Sequence, residues 1–137
     1  MKAQVKWVDN QRFLGLTDSG NSIVMDADKH QKNAPGPMEM VLMGLGGCSS
    51  VDVVNILEKA RQKVTSCHVD IESERADAIP AVFTKIHLSF VLKGSNIKAS
   101  QVERAVNLSA EKYCSVARML GEGGVEITHS YEIIDTD

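Results

Sequence analysis

Apolar and polar positions alternate in three short stretches at the start of the chain. Ala3, Val5 and Trp7 share one face of a strand over residues 3–8. Asp9-Asn10-Gln11 reads as a turn into a second strand, Arg12 to Leu16. Asp18-Ser19-Gly20-Asn21 reads as a tight turn into a third, Ser22 to Asp26. These residues predict a small antiparallel meander. A polar stretch from Asp28 closes on Pro35-Gly36-Pro37, and Pro37 suits the first turn of a helix, where a missing N–H costs nothing.

The helix opened by Pro37 is expected to run to Arg61 or Lys63, with Glu58, Lys59, Arg61 and Lys63 gathered at its end. Its middle is apolar nearly all round, which predicts burial nearly all round. Gly44, Gly46 and Gly47 each lower helix propensity by roughly 1 kcal/mol relative to Ala. Their smallness lets a second helix approach closely, and a symmetry mate is the natural candidate.

Alternation returns in Ser66 to Ala76, where Cys67, Val69 and Ile71 share one face, and in Phe83 to Lys93, with Ile86, Leu88, Phe90 and Leu92 inward. Each reads as a strand with one solvated face. Ser100-Gln101-Val102-Glu103 has the spacing of a capping box and predicts a helix to about Glu111, with Val102, Ala105, Val106 and Ser109 as its inner stripe. Cys114 to Leu120 reads as a short third helix ended by Gly121, and Val125, Ile127, His129, Tyr131 and Ile133 as the inner face of a last strand. With no internal repeat, linker or low-complexity segment, residues 1–137 are expected to form a single domain.

Composition narrows the partners. The net charge is −3 and the basic residues are scattered, so neither nucleic acid nor a membrane surface is expected as a partner. The run from Met40 to Leu57 approaches the length that spans a bilayer, but Asp52 and Asn55 fit a buried protein helix better than lipid. The first six residues lack the apolar stretch of a signal peptide. Three cysteines without such a signal point to a reducing, cytoplasmic setting and away from a structural disulfide framework.

Candidate chemistry centres on thiols. Cys67, on the core side of a strand, reads as a small hydrophobe. Cys48 lies three turns into the apolar helix, beyond reach of the helix N-terminus, so from spacing alone it reads as an inert buried thiol, and ionising it would take a cation from elsewhere. Arg12 and Arg118 are candidates. Cys114, if it begins the third helix, sits where backbone N–H groups favour a thiolate. No C-x-x-C, nucleophile elbow or P-loop is present, and the four histidines and three cysteines show no metal-ligand spacing, so no metal site is expected. His129 reads as a satisfied core or interface histidine.

Two segments, Pro35-Gly36-Pro37-Met38-Glu39-Met40-Val41-Leu42-Met43-Gly44-Leu45-Gly46-Gly47-Cys48 and Ala110-Glu111-Lys112-Tyr113-Cys114-Ser115-Val116-Ala117, resemble the paired cysteine segments of the OsmC/Ohr family (osmotically inducible protein C and organic hydroperoxide resistance protein). The resemblance covers nearly the whole chain. It implies an α+β fold, with a central apolar helix packed in wrapped antiparallel sheets, assembled as an intertwined homodimer with active sites at the subunit interface. It further implies a thiol-dependent peroxidase for small organic hydroperoxides. Cys48 would be the peroxidatic thiol and Cys114 the resolving thiol. Arg12 and Glu39 stand for the family's activating Arg and Glu. No bound cofactor is implied; the reductant would be an external dithiol protein, such as a lipoyl-bearing one.

The chain departs from the family pattern at two places. Met38 occupies the position of the family's Glu, with Glu39 one residue later, a rotation of about 100° on a helix. Ser115 replaces the usual Pro after the second cysteine. These departures keep two other readings open: a non-enzymatic protein that holds a hydrophobic ligand on the same scaffold, and a different thiol reaction such as thioester cleavage.

Overall fold

The computed structural model describes residues 1–136. The chain forms two compact units, Met1–Met43 and Gly44–Asp137.

The first unit is built on the expected meander. Strands β1 (Ala3–Asp9), β2 (Arg12–Thr17) and β3 (Ser22–Asp26) form one antiparallel sheet in the order β1-β2-β3. Both turns fall where their residues predict, with Asn10 and Gly20 at positive φ. The face expected to carry Val5 and Trp7 is open to solvent in the single chain. After β3, the buried Asp26 organises the loop. Its carboxylate accepts the N–H groups of Asp28 at 2.9 Å and Asn33 at 3.0 Å, and these bonds lower its pKa from the ordinary value.

Helix α1 (Pro37–Lys59) passes from the first unit into the second. Pro37 takes the first helical position, as expected. Glu39, two residues on, folds back to accept the N–H of Gly36 at 2.9 Å, half of a capping box. The helix ends earlier than Arg61. The N–H of Arg61 bonds the carbonyl of Glu58 and that of Gln62 bonds Leu57, both at 2.9 Å, with Arg61 at φ 60°. This is a Schellman closure with an arginine where glycine is usual.

The expectation that α1 is buried nearly all round does not hold for the chain alone. Leu45, Gly46, Ser49, Val53 and Leu57 are buried, but Val51 is 59% exposed and Gly44 and Gly47 are exposed. A Cβ on Gly46 would lie 2.7 Å from the Ile71 side chain, so this glycine admits strand β4 (Lys63–Arg75). A Cβ on Gly44 or Gly47 would meet nothing within 4 Å. The chain's own packing therefore explains one of the three helix glycines.

In the second unit, β4 pairs antiparallel with β5 (Phe83–Ser95), and β6 (Glu126–Asp135) pairs with β5 in parallel. The expected all-antiparallel architecture is thus corrected to a mixed sheet. The reason is the path between β5 and β6, which crosses through two helices and returns in the same direction. Ile86, Leu88, Phe90 and Leu92 of β5 point inward as their alternation predicts, and Phe83, out of phase with them, is buried where the β4–β5 register shifts. On β6, Tyr131 is 36% exposed, contrary to its assignment to the inner face.

Helix α2 spans Ala99–Leu108 and buries Val102, Ala105 and Val106. Its N-cap is Lys98, with no side-chain cap, so Ser100 and Glu103 do not form the expected capping box. Nor does α2 continue as an α-helix to Glu111. It widens into a π turn over Ser109–Tyr113, closed by the Cys114 N–H on the Ser109 carbonyl at 2.9 Å. Helix α3 (Ser115–Glu122) then begins, running one residue past Gly121.

Candidate functional site

The π turn fixes where the second cysteine goes. An extra residue in the turn rotates the chain after Ser109, and Cys114 leaves the helical region with an extended backbone (φ −77°, ψ 104°) as the N-cap of α3. Its side chain is buried, 2% exposed, and faces α1. Cys48, half-buried, is on the adjoining turn of α1, and Asp52 follows it at i+4 on the same side of the helix. The ligand atoms of Cys48, Asp52 and Cys114 all lie within 4.8 Å of one another. Two thiols far apart in sequence are thus brought within 4.8 Å of each other beside α1.

Polar neighbours fix two of the three groups. Cys114 Sγ accepts hydrogen bonds from Ser49 Oγ and from the Ala117 N–H, each at 3.4 Å. The buried Ser109 hydroxyl lies 3.0 Å from Asp52 Oδ2, as donor, and 3.3 Å from the Ser49 carbonyl. Ser109 is both the start of the π turn and the group that orients the carboxylate.

The helix N-terminus was expected to favour a Cys114 thiolate. Burial overrides it. Desolvation is the largest influence and pushes the Cys114 thiol up. The Ser49 and Ala117 bonds oppose this, and the nearby Cys48 adds to it. Cys114 is accordingly a protonated thiol at neutral pH, provided with donors that stabilise the anion when it forms. Cys67 is also pushed up by burial, in keeping with its reading as a structural residue.

The remaining predicted site residues are engaged within their own units. Arg12 forms a two-pronged pair with Asp9, its Nε 2.6 Å from Asp9 Oδ1, and this bond raises its pKa. Glu39 accepts from Lys32 Nζ at 2.6 Å as well as from Gly36, and both bonds lower its pKa, that to Lys32 most. Arg118, offered as a cation near Cys114, instead donates to the Glu111 carbonyl at 3.3 Å and pairs with Glu122 at 3.7 Å. His129 is satisfied by Asn107 at 3.0 Å.

Sequence reasoning missed Asp52, Ser49 and Ser109 as site residues. Asp52 did carry a signal: it is the one charged residue between Met40 and Leu57, four positions after a cysteine. Beyond it, a groove of about 460 Å³ is lined by Asn55, Lys59, Arg104, Leu108 and Tyr113 as well as Asp52 itself. Chemically, the cluster offers two thiols that can bridge after a small movement and a carboxylate able to accept a proton.

Comparison with known proteins agrees with this architecture. The family model described as OsmC-like protein matches residues 29–130. Protein YhfA of Escherichia coli K12 is 55% identical over 134 residues, 98% of each chain. Among solved structures, a hypothetical protein from Aquifex aeolicus VF5 is 29% identical with a TM-score of 0.88, covering 99% of this chain and 97% of its own. The organic hydroperoxide resistance protein OhrB of Bacillus subtilis shares the fold at 12% identity, with a TM-score of 0.64 over 96% of this chain and 98% of its own. The chain belongs to the OsmC-like protein family.

Proposed function

We propose that the protein is a thiol-dependent peroxidase that reduces organic hydroperoxides through Cys48 and Cys114. The observation that carries this reading is the approach of the two sulphur atoms to within 4.8 Å. Cys48 is the more accessible of the pair and takes the peroxidatic role. Its thiolate attacks the distal oxygen of ROOH. The O–O bond breaks, one proton is taken up, an alcohol leaves, and Cys48 becomes a sulfenic acid. The buried Cys114 thiol then displaces water from that sulfenic acid and forms the disulfide. Ser49 and Ala117 stabilise the sulphur as its proton departs, and Asp52 is a base within reach. An external dithiol, of the lipoyl type in our reading, restores both thiols by exchange.

The same proposal includes a homodimer in a cytoplasmic setting. The support for the dimer is the open stretch of α1, where, among the described residues, Gly44 and Gly47 have no neighbour that requires them to be small. A second α1 packed there would complete an apolar pocket over Cys48 and favour organic peroxides over hydrogen peroxide.

Turnover of cumene hydroperoxide with a dithiol reductant tests the proposal. Cys48→Ser should abolish it with the fold intact. Cys114→Ser should leave one round of peroxide reduction and a sulfenic acid that reacts with dimedone. Equal turnover by Cys48→Ser and the native protein would reject the reading, as would a native protein that has no peroxidase activity and carries a co-purifying hydrophobic ligand that the Cys48→Ser variant also retains.

A further inference from the structure

We propose that Cys48, Asp52 and Cys114 of the reduced protein form a three-ligand site for a thiophilic divalent cation of the zinc class, with a fourth position left open. The sequence showed no ligand spacing because the third ligand comes from another element. Folding supplies it. Cys48 and Asp52 are an i, i+4 pair on α1, the spacing by which one helix face presents two ligands to one metal. Cys114 completes the set from the N-cap of α3.

The dimensions suit the ion. With Zn–S near 2.3 Å and Zn–O near 2.1 Å, ligand atoms around one tetrahedral zinc are roughly 3.5–3.8 Å apart. The three atoms here lie within 4.8 Å of one another, so side-chain rotations of about 1 Å close the site. Three protein ligands and an open position match the count of sites that keep a water or a substrate.

The surroundings have the character of an outer shell. Ser109 Oγ donates to Asp52 Oδ2 at 3.0 Å and so orients the carboxylate. Ser49 Oγ and the Ala117 N–H donate to Cys114 Sγ, the kind of bond that orients a metal-bound thiolate and spreads its charge. Charge argues the same way. Losing both thiol protons beside the Asp52 carboxylate calls for a counter-charge; Lys59 and Arg104 line the groove beyond Asp52, but among the described residues of the second unit neither forms an ion pair with it. A divalent cation supplies that charge and displaces the two thiol protons. The inference requires only reduced thiols and stands apart from the peroxidase reading.

The test is anaerobic titration of reduced, metal-stripped protein with Co²⁺, followed by Zn²⁺. The expected result is a thiolate-to-cobalt charge-transfer band with intense visible bands of a tetrahedral site, saturating at one equivalent per chain and erased by Zn²⁺. Cys67→Ser should keep the bands. Cys48→Ser and Cys114→Ser should each lose charge-transfer intensity. Asp52→Asn should weaken affinity beyond the roughly 10- to 100-fold that follows loss of an outer-shell partner. Absence of the bands in the native protein, or their persistence in the Cys48→Ser/Cys114→Ser double variant, overturns the proposal. A second measurement needs no variant: Zn²⁺ should slow alkylation of Cys48 at least tenfold and leave Cys67 unchanged, as read by peptide mapping. Equal slowing at both, or at neither, also overturns it.

Discussion

Closing the Cys48–Cys114 bridge should raise the stability of the protein by about 3 kcal/mol. The bridge would tie a loop of about 65 residues, and removing that freedom from the unfolded chain is worth ~4 kcal/mol in the chain-entropy description. Against this stands the work of closure. The sulphurs, within 4.8 Å of each other, must come to about 2.05 Å. Cys48 is half-buried and has room to turn, whereas Cys114 is held by Ser49 and Ala117 and gives up part of those bonds, roughly 1 kcal/mol. For a chain of this length, ~3 kcal/mol corresponds to a rise in Tm of about 9–15 °C. The assay is a thermal melt by circular dichroism of the reduced protein under a non-thiol reductant and of the bridged protein after mapping. Both are run at the same chain concentration and in a Cys67→Ser background, so that neither association nor a misplaced bridge enters. A bridged protein that melts at or below the reduced one would show that closure strains the fold by more than the loop entropy returns, and the reasoning from sulphur proximity would fail.

Other perturbations separate the parts of the fold. Gly46→Ala should be near neutral in urea unfolding, because a helix-propensity gain of ~1 kcal/mol offsets displacement of the flexible Ile71 tip, while Gly46→Leu should cost about 1–3 kcal/mol or more. Gly47→Leu meets open space among the described residues and should leave the protomer folded, yet reduce the proposed dimer to single chains in light scattering; an unchanged dimer would remove α1 from the interface. The lowered Asp26 carboxyl contributes stability that is fully present above the ordinary aspartate range and is lost as pH falls through its folded value. Asp26→Asn should therefore lower the unfolding midpoint at about pH 7 and narrow the gap from native as pH approaches about 3, and a constant gap would refute this assignment.

Much of the fold was legible because alternation and turn chemistry agree. Asp9-Asn10-Gln11 and Asp18-Ser19-Gly20-Asn21 bound the meander, and the run Ile86, Leu88, Phe90, Leu92 marks the inner face of β5. The direction of β6 was not legible from periodicity, since an alternating strand pairs equally well either way. The π turn was also hidden: nothing in Ser109-Ala110-Glu111-Lys112-Tyr113 distinguishes it from a continuing helix. That turn is what buries Cys114 and presents Ser109 to Asp52, so the fine structure of the site was out of reach even though both cysteines were identified. The pattern around α1 was misread for a related reason. Apolar composition reports that a face needs cover, but not whether the same chain provides it, and here Gly46 is covered by β4 while Gly44 and Gly47 are not.

The most direct test is a single-turnover reaction. Fully reduced protein is mixed with one equivalent of cumene hydroperoxide, quenched over time and mapped by mass spectrometry. Our reading predicts loss of two thiols per peroxide, faster than for free cysteine, and a bridge joining the Cys48 and Cys114 peptides within one chain while Cys67 stays reduced. Thiol loss no faster than that of free cysteine, or a bridge that includes Cys67, would contradict it.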